Sequence, residues 1–108
     1  MSYNILTIPP FDKRFKRLAK KYPSLKAEYA LLIDELQSKP TTGISLGNNC
    51  YKIRISIGSK GKGKSGGARV ITYVRVVEGS VFLLSIFDKS EHENIPDSEL
   101  NDLLNLIP

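Results

Sequence analysis

The sequence predicts a single α+β domain in the order β-α-α-β-β-β-α, a helical hairpin packed on a small antiparallel sheet. Three observations predict it. Two apolar stripes of helical period follow one another early in the chain, alternation and β-branched runs fill the later part, and glycine, proline and asparagine punctuate the joins. With 108 residues and 41% hydrophobic content the chain can build one core and not two, so residues 1–108 are read as one domain.

Residues 3–8 alternate weakly, with Tyr3, Ile5 and Thr7 opposite Leu6 and Ile8, and stop at Pro9 and Pro10, which suits a short first strand. The proline pair opens a helix whose Phe11, Phe15, Leu18, Ala19 and Tyr22 form one apolar stripe, with Lys and Arg on the outer face. Tyr22 and Pro23 end it. Ser24 is placed as the N-cap of a second helix, in which Leu25, Tyr29, Leu32, Ile33 and Leu36 repeat the spacing until Lys39 and Pro40. So short a connector makes the two helices antiparallel.

After a loop rich in Thr, Gly and Asn, the residues Tyr51, Ile53, Ile55 and Ile57 alternate with Lys52, Arg54 and Ser56, giving one core face and one polar, positive face. Residues 68–77 are β-branched at six of ten positions and lead through Glu78, Gly79 and Ser80 into residues 81–88. That pattern predicts a hairpin whose central strand is buried on both faces. Leu100, Leu103, Leu104 and Ile107, after Pro96, predict a short amphipathic helix. No internal repeat is present, and low complexity is confined to residues 58–67.

The net charge of +5 is segregated along the chain. Residues 11–26 hold seven basic side chains against Asp12, residues 36–77 hold eight and no acid, and from Ser90 onward Glu91, Glu93, Asp97, Glu99 and Asp102 stand without a Lys or Arg. A wide basic surface concentrates polyanions such as nucleic acid, and it also serves solubility. The longest apolar run, residues 81–87, is far below the roughly 20 residues a bilayer crossing needs, and the first four residues carry no charged signal-peptide start. No membrane or secretory destination is therefore expected. Cys50 is the one cysteine and has no ligand-spaced Cys or His around it, so neither a disulfide nor a metal site is expected, which fits a reducing cytoplasm. It is read as a small, half-buried residue leading into a strand.

Residues 58–65 (Gly-Ser-Lys-Gly-Lys-Gly-Lys-Ser) satisfy the phosphate-loop pattern G-x-x-x-x-G-K-[ST], and residues 81–88 resemble the apolar strand ending in Asp that accompanies it. A phosphate loop works because its amides and the N-terminus of a following helix converge on the phosphates. Here a β-branched run follows, without the series of βα units a parallel sheet requires, so nucleotide hydrolysis is not expected. The alternatives are a flexible hairpin loop with solubilising lysines, or a basic flap that extends a cluster of Lys52, Arg54 and Arg69 and closes over a phosphate chain through Lys60, Lys62 and Lys64.

Three stretches carry a family resemblance: Cys50-Tyr51-Lys52-Ile53-Arg54, then Lys64-Ser65-Gly66-Gly67-Ala68-Arg69-Val70, then Leu84-Ser85-Ile86-Phe87-Asp88-Lys89-Ser90-Glu91. With them the chain resembles toxins of the RelE/ParE superfamily, most closely the HigB-like branch, over nearly its whole length. The resemblance implies a microbial RNase-like fold, ribosome-dependent cleavage of mRNA in the cytoplasm, no cofactor, and a hetero-oligomer with a cognate helix-turn-helix antitoxin. It also implies the chemistry: a 2′-hydroxyl attacks the adjacent phosphate, a phosphorane forms, and the 5′-oxygen leaves protonated. Charge stabilisation then dominates, and a site rich in Lys and Arg can supply it without a histidine pair. By position, Arg54 and Arg69 clamp the phosphate, Lys52 stabilises it or acts on the nucleophile, and Lys89 serves as acid or phosphate contact. Some relatives carry a tyrosine or histidine late in the chain; here no tyrosine follows Tyr73, and His92 stands between glutamates. His92 is thus an acid or a solvated surface residue, and Tyr73 a stacking or a core residue. Two other functions remain open: ParE-like inhibition of DNA gyrase, which the basic cluster disfavours, and a catalytically inactive RNA- or ribosome-binding module.

Overall fold

The computed structural model describes residues 2–60 and 66–108. β1 (Asn4–Thr7) is short because the chain turns at Pro9 and Pro10, whose missing amide hydrogens fall where a helix would leave them unused, at the start of α1 (Pro9–Lys21). α1 buries Phe11 and Leu18, and α2 (Leu25–Ser38) buries Leu25, Leu32 and Leu36, as the two stripes predict. Aromatic packing joins the pair, with the Phe15 and Tyr29 ring centroids 4.4 Å apart. Ser24 does occupy the N-cap position, but its hydroxyl makes no capping bond there. Instead it bonds Glu28 Oε1 at 3.2 Å and accepts the Ser59 amide at 3.0 Å, so a residue expected to start a helix also fastens a distant loop to it.

Four more strands follow: β2 (Ile44–Gly47), β3 (Cys50–Ile55), β4 (Ala68–Arg75) and β5 (Ser80–Asp88), with α3 (Asp97–Leu104) last. The five strands lie in the order β1-β5-β4-β3-β2, antiparallel except where β1 runs parallel to β5. β5 is buried at all nine positions, as a strand covered on both faces should be. β2 is not predicted by the sequence. Its four residues are all exposed on a sheet edge, so no buried face imprints an alternation on them. It is joined to β3 through Gly47, Asn48 and Asn49 at φ +86°, +52° and +63°, a left-handed run that Gly and Asn tolerate best. β4 ends two residues sooner than the β-branched run does, because Val76 and Val77 sit exposed in a turn closed by the Gly79 amide on the Val76 carbonyl at 3.1 Å. Cys50 is fully rather than half buried, and burial pushes its thiol pKa up.

The register sorts side chains onto two faces. Ile55, Ala68 and Asp88 form one cross-strand row, and Arg54, Arg69 and Phe87 form the next row on the opposite face. The first face meets the hairpin, since Asp88 of that row is bonded by Tyr22 at the end of α1. Asp88, 1% exposed, accepts from the Tyr22 hydroxyl at 2.7 Å, Lys60 Nζ at 2.5 Å, and the amide and hydroxyl of Ser90 at 3.0 and 2.8 Å. One carboxylate thus ties the end of α1, the 3₁₀ turn Gly58–Lys60 and the turn after β5. Glu28 Oε2 holds the same stem by accepting the Gly58 amide at 2.6 Å. At the loop's other end, the Lys89 amide donates to the Gly67 carbonyl at 3.0 Å. A Cβ on Gly67 would collide with the Ile55 carbonyl oxygen of the neighbouring strand, which is why glycine stands just before Ala68 and Arg69.

Two consequences are measurable. Gly67→Ala should separate β3 from β4 where Arg54 faces Arg69, costing about 1–3 kcal/mol in urea unfolding, as backbone overpacking does. For Asp88, burial raises the carboxyl pKa, but the bonds from Lys60, Tyr22 and Ser90 outweigh it and hold the group well below the usual carboxylate range. Because the folded pKa lies under the unfolded value of about 3.9, this contribution is fully present above that pH and is lost as the pH falls below it. Asp88→Asn should cost about 3–5 kcal/mol at pH 7 by leaving the Lys60 ammonium inside without its carboxylate, and should flatten the loss of stability as the pH falls below about 4.

Candidate nucleic-acid interface

On the face away from the hairpin, β3 presents Lys52 and Arg54, and β4 sets Arg69 directly opposite Arg54. Like charges directly opposite one another on a sheet are destabilising, so something anionic belongs beside them. In this structure the C-terminal segment provides it. Lys52 Nζ donates to Asn94 Oδ1 at 2.6 Å and to the Glu93 carbonyl at 3.4 Å, and Arg69 Nη2 lies 3.7 Å from Glu93 Oε2. Arg69 Nη1 also donates to the Ala68 carbonyl at 3.1 Å. Lys52 is 8% exposed and Arg69 1%, while Arg54 is exposed. Neither Lys52 nor Arg69 is therefore the surface cation that strand alternation alone suggests. The acidic stretch that looked like a separate tail lies over part of the basic face.

The other sequence candidates fall into three places. Lys89 is exposed just past β5, and its backbone bond to Gly67 sets it beside the start of β4. His92 is exposed with its ring edge-on to Phe87 at 6.1 Å, and Phe87 pairs with Arg69 across the strands, so His92 borders the same row. Tyr73 lies four residues along β4 from Arg69, about 13 Å at strand rise, half-buried opposite Cys50 and 6.5 Å from the Phe82 ring. Its ring packs under the Arg75 guanidinium, 5.9 Å from the centroid, and away from Arg69. Lys60 points to the other face, its side chain 8% exposed against Asp88, so it does not extend the sheet cluster. Lys62 and Lys64 lie outside the described residues.

The phosphate-loop reading finds no support in the geometry: β4 starts at Ala68 where a helix would be required, and the strand-ending Asp88 is taken up by Tyr22, Lys60 and Ser90. Among the described residues no cluster of His, Cys, Asp or Glu could hold a metal ion, and no helix is long and apolar enough to cross a membrane. Sequence reasoning missed Glu93 and Asn94 as neighbours of Lys52 and Arg69. The one signal that could have found them was the opposite sign of the tail. The row's chemistry suits an anion: Arg54 is exposed, its partner Arg69 already faces a carboxylate, and guanidinium groups take carboxylate and phosphate oxygens alike, with an ammonium on the same face.

Comparison with known proteins agrees with this architecture. A mutant of the E. coli toxin RelE in the free state superposes with a TM-score of 0.66 at 17% identity, covering 100% of both chains. The crystal structure of the isolated E. coli RelE toxin in its P21 form superposes at 0.57, also at 17% identity, over 98% of this chain and 100% of that one. At such identity the likeness establishes the fold. Residues 11–107 match the family described as the RelE toxin of the RelE / RelB toxin-antitoxin system, and with that match over nearly its whole length the chain belongs to the RelE toxin family.

Proposed function

We propose that this toxin is a ribosome-dependent mRNA interferase of the HigB-like kind, cleaving translated mRNA in the cytoplasm by attack of a ribose 2′-hydroxyl on the adjacent phosphate. The observation that carries the reading is the Arg54–Arg69 pair, two arginines in register across β3 and β4 with Lys52 on the same face. Such a pair works against folding and in favour of a bound phosphate. Arg54 and Arg69 clamp the scissile phosphate and stabilise the phosphorane. Lys52 stabilises that charge or acts on the nucleophile, and Lys89 donates to the leaving 5′-oxygen or holds a phosphate. His92, on the same row, is the alternative acid. Lys62 and Lys64 approach the RNA from the loop, whereas Lys60 is engaged by Asp88 and holds the loop stem.

For a phosphate to reach Arg69 and Lys52, Glu93 and Asn94 must give up their places. Glu93 is easily moved: its side chain is 44% exposed and its contact with Arg69 is a 3.7 Å ion pair. The ribosome supplies the orientation that a small cationic site cannot, by holding the mRNA so that the 2′-hydroxyl lies in line with the phosphate. The family implies an antitoxin partner. In this reading it carries a helix-turn-helix domain, forms a hetero-oligomer with the toxin and covers the basic face.

The test is induction of the wild-type chain in bacterial cells beside Arg69→Ala and Arg69→Lys, with new mRNA ends mapped by primer extension while growth and DNA supercoiling are followed. Wild type should cut within translated frames, and Arg69→Ala should lose about 10²–10³-fold of the activity, as removal of a transition-state donor does. Arg69→Lys keeps the buried charge but not the fork, and should fold normally while remaining strongly impaired. Growth arrest with intact mRNA and altered supercoiling would point to gyrase instead. No arrest and no cleavage would leave an inactive binding module.

A further inference from the structure

The Arg54, Arg69 and Phe87 row does not stop at β5. β1 pairs with β5 only as far as Leu83, so the last residues of β5 have no strand on that side. There α1 and the turn after β5 enclose a cleft of about 740 Å³. Its floor is apolar, with Leu18, Ile86 and Phe87. One wall is cationic, with Lys13, Arg14 and Arg17 from successive turns of α1. Arg14 closes one part of it, bonded to Ser85 Oγ at 3.1 Å and 3.8 Å from Glu99 Oε2. His92 stands on the other wall, its exposed imidazole edge-on to Phe87.

We infer that this cleft is a nucleotide subsite for single-stranded RNA, taking a phosphate on Lys13 and Arg17 and a base on the exposed His92 ring that Phe87 props from below, next to the nucleotide held at Arg54 and Arg69. The inference rests on the RNA-cleaving reading and extends it. At about 4.8 Å between strands, Arg54 and Phe87 are about 10 Å apart, so the cleft opens within one or two nucleotides of the clamp. The volume falls in the range of small-ligand sites, and the pairing of cations with an exposed ring is how proteins hold single strands without reading sequence. The two carboxylates that line the cleft do not reverse its charge. Asp88 is turned to Lys60, Tyr22 and Ser90, and Glu91 is exposed, opposing three cations.

The test uses the full chain and a fluorescein-labelled, fully 2′-O-methylated RNA 10-mer, which lacks the nucleophile and so cannot be cleaved. Binding is read by anisotropy across a salt series. Lys13→Ala/Arg17→Ala should weaken binding about tenfold and make the log-log salt slope shallower by about 1.4, two single-strand phosphate contacts at about 0.7 each. Lys16→Ala/Lys26→Ala removes the same charge from positions that do not line the cleft, and should change affinity less than twofold. His92 is the only histidine, so its ring-proton resonances report on the cleft directly: they should shift with the RNA and much less with an abasic version of it. Equal losses from the two double variants, or a silent His92, would overturn the subsite while sensitivity to Arg54→Ala kept the RNA reading. Binding insensitive to Arg54→Ala and to both double variants would sink both. A His92 shift produced by a polyglutamate peptide and not by RNA would make the cleft a protein-docking site and overturn the inference.

Discussion

The Asp88 carboxylate is where the fold is closed. It is the last residue of the fully buried strand β5, and on the hairpin face it gathers a phenol, an ammonium, a hydroxyl and an amide from three separate parts of the chain. A carboxylate so placed is costly without partners and rigid with them, because each donor it accepts is fixed by the others. Through Lys60 it fixes one end of the loop between β3 and β4, and the neighbouring Lys89 amide fixes the other end at Gly67. Since Gly67 immediately precedes Ala68 and Arg69, the same closure sets where β4 begins and hence which residue stands opposite Arg54.

The two faces of that sheet answer to different physics. On the hairpin face, apolar burial does most of the work, each large side chain such as Leu25 or Leu36 contributing about 1.5–3 kcal/mol of transfer free energy. On the far face the strands carry a like-charge pair and a lysine, which burial alone would never select. The acidic segment after β5 makes this arrangement tolerable by laying Glu93 and Asn94 over Arg69 and Lys52. Beyond that cover it is held by Arg14 on Glu99 and by Arg75, which donates to the Pro108 backbone oxygen at 2.8 Å while lying over the Tyr73 and Phe82 rings.

How much of this was legible depends on the range of the interaction that decides it. Both helices of the hairpin were readable because their stripes are local and bounded by Pro9, Pro23 and Pro40. β2 was not, since an exposed edge strand has no buried face to write a pattern. Lys52, Arg54 and Arg69 could be picked out by alternation and by the Gly-Gly-Ala-Arg run, and the structure gathers them. That two of them are buried was invisible, because the cover comes from a segment 24 or more residues away in sequence. Lys60 misled for the opposite reason. It sits in a loop of lysines that look alike in sequence, and only the fold shows that Lys60 has a carboxylate.

The charge segregation in the sequence therefore has a structural meaning that a sum of +5 conceals. Were the acidic tail free in solvent, screening would leave it nearly indifferent to the basic strands beyond about 10 Å. Tethered across them instead, it supplies a carboxylate, an amide oxygen and a backbone carbonyl to the row, and its carboxylate contact with Arg69 is a partly exposed 3.7 Å ion pair, the kind most easily exchanged. In the proposed function, a weak internal anion of this kind lets a row of like charges fold without a bound phosphate and leaves its place open to exchange. A tighter cover would stabilise the fold at the expense of the site, and no cover would leave Arg54 and Arg69 repelling each other across the ladder.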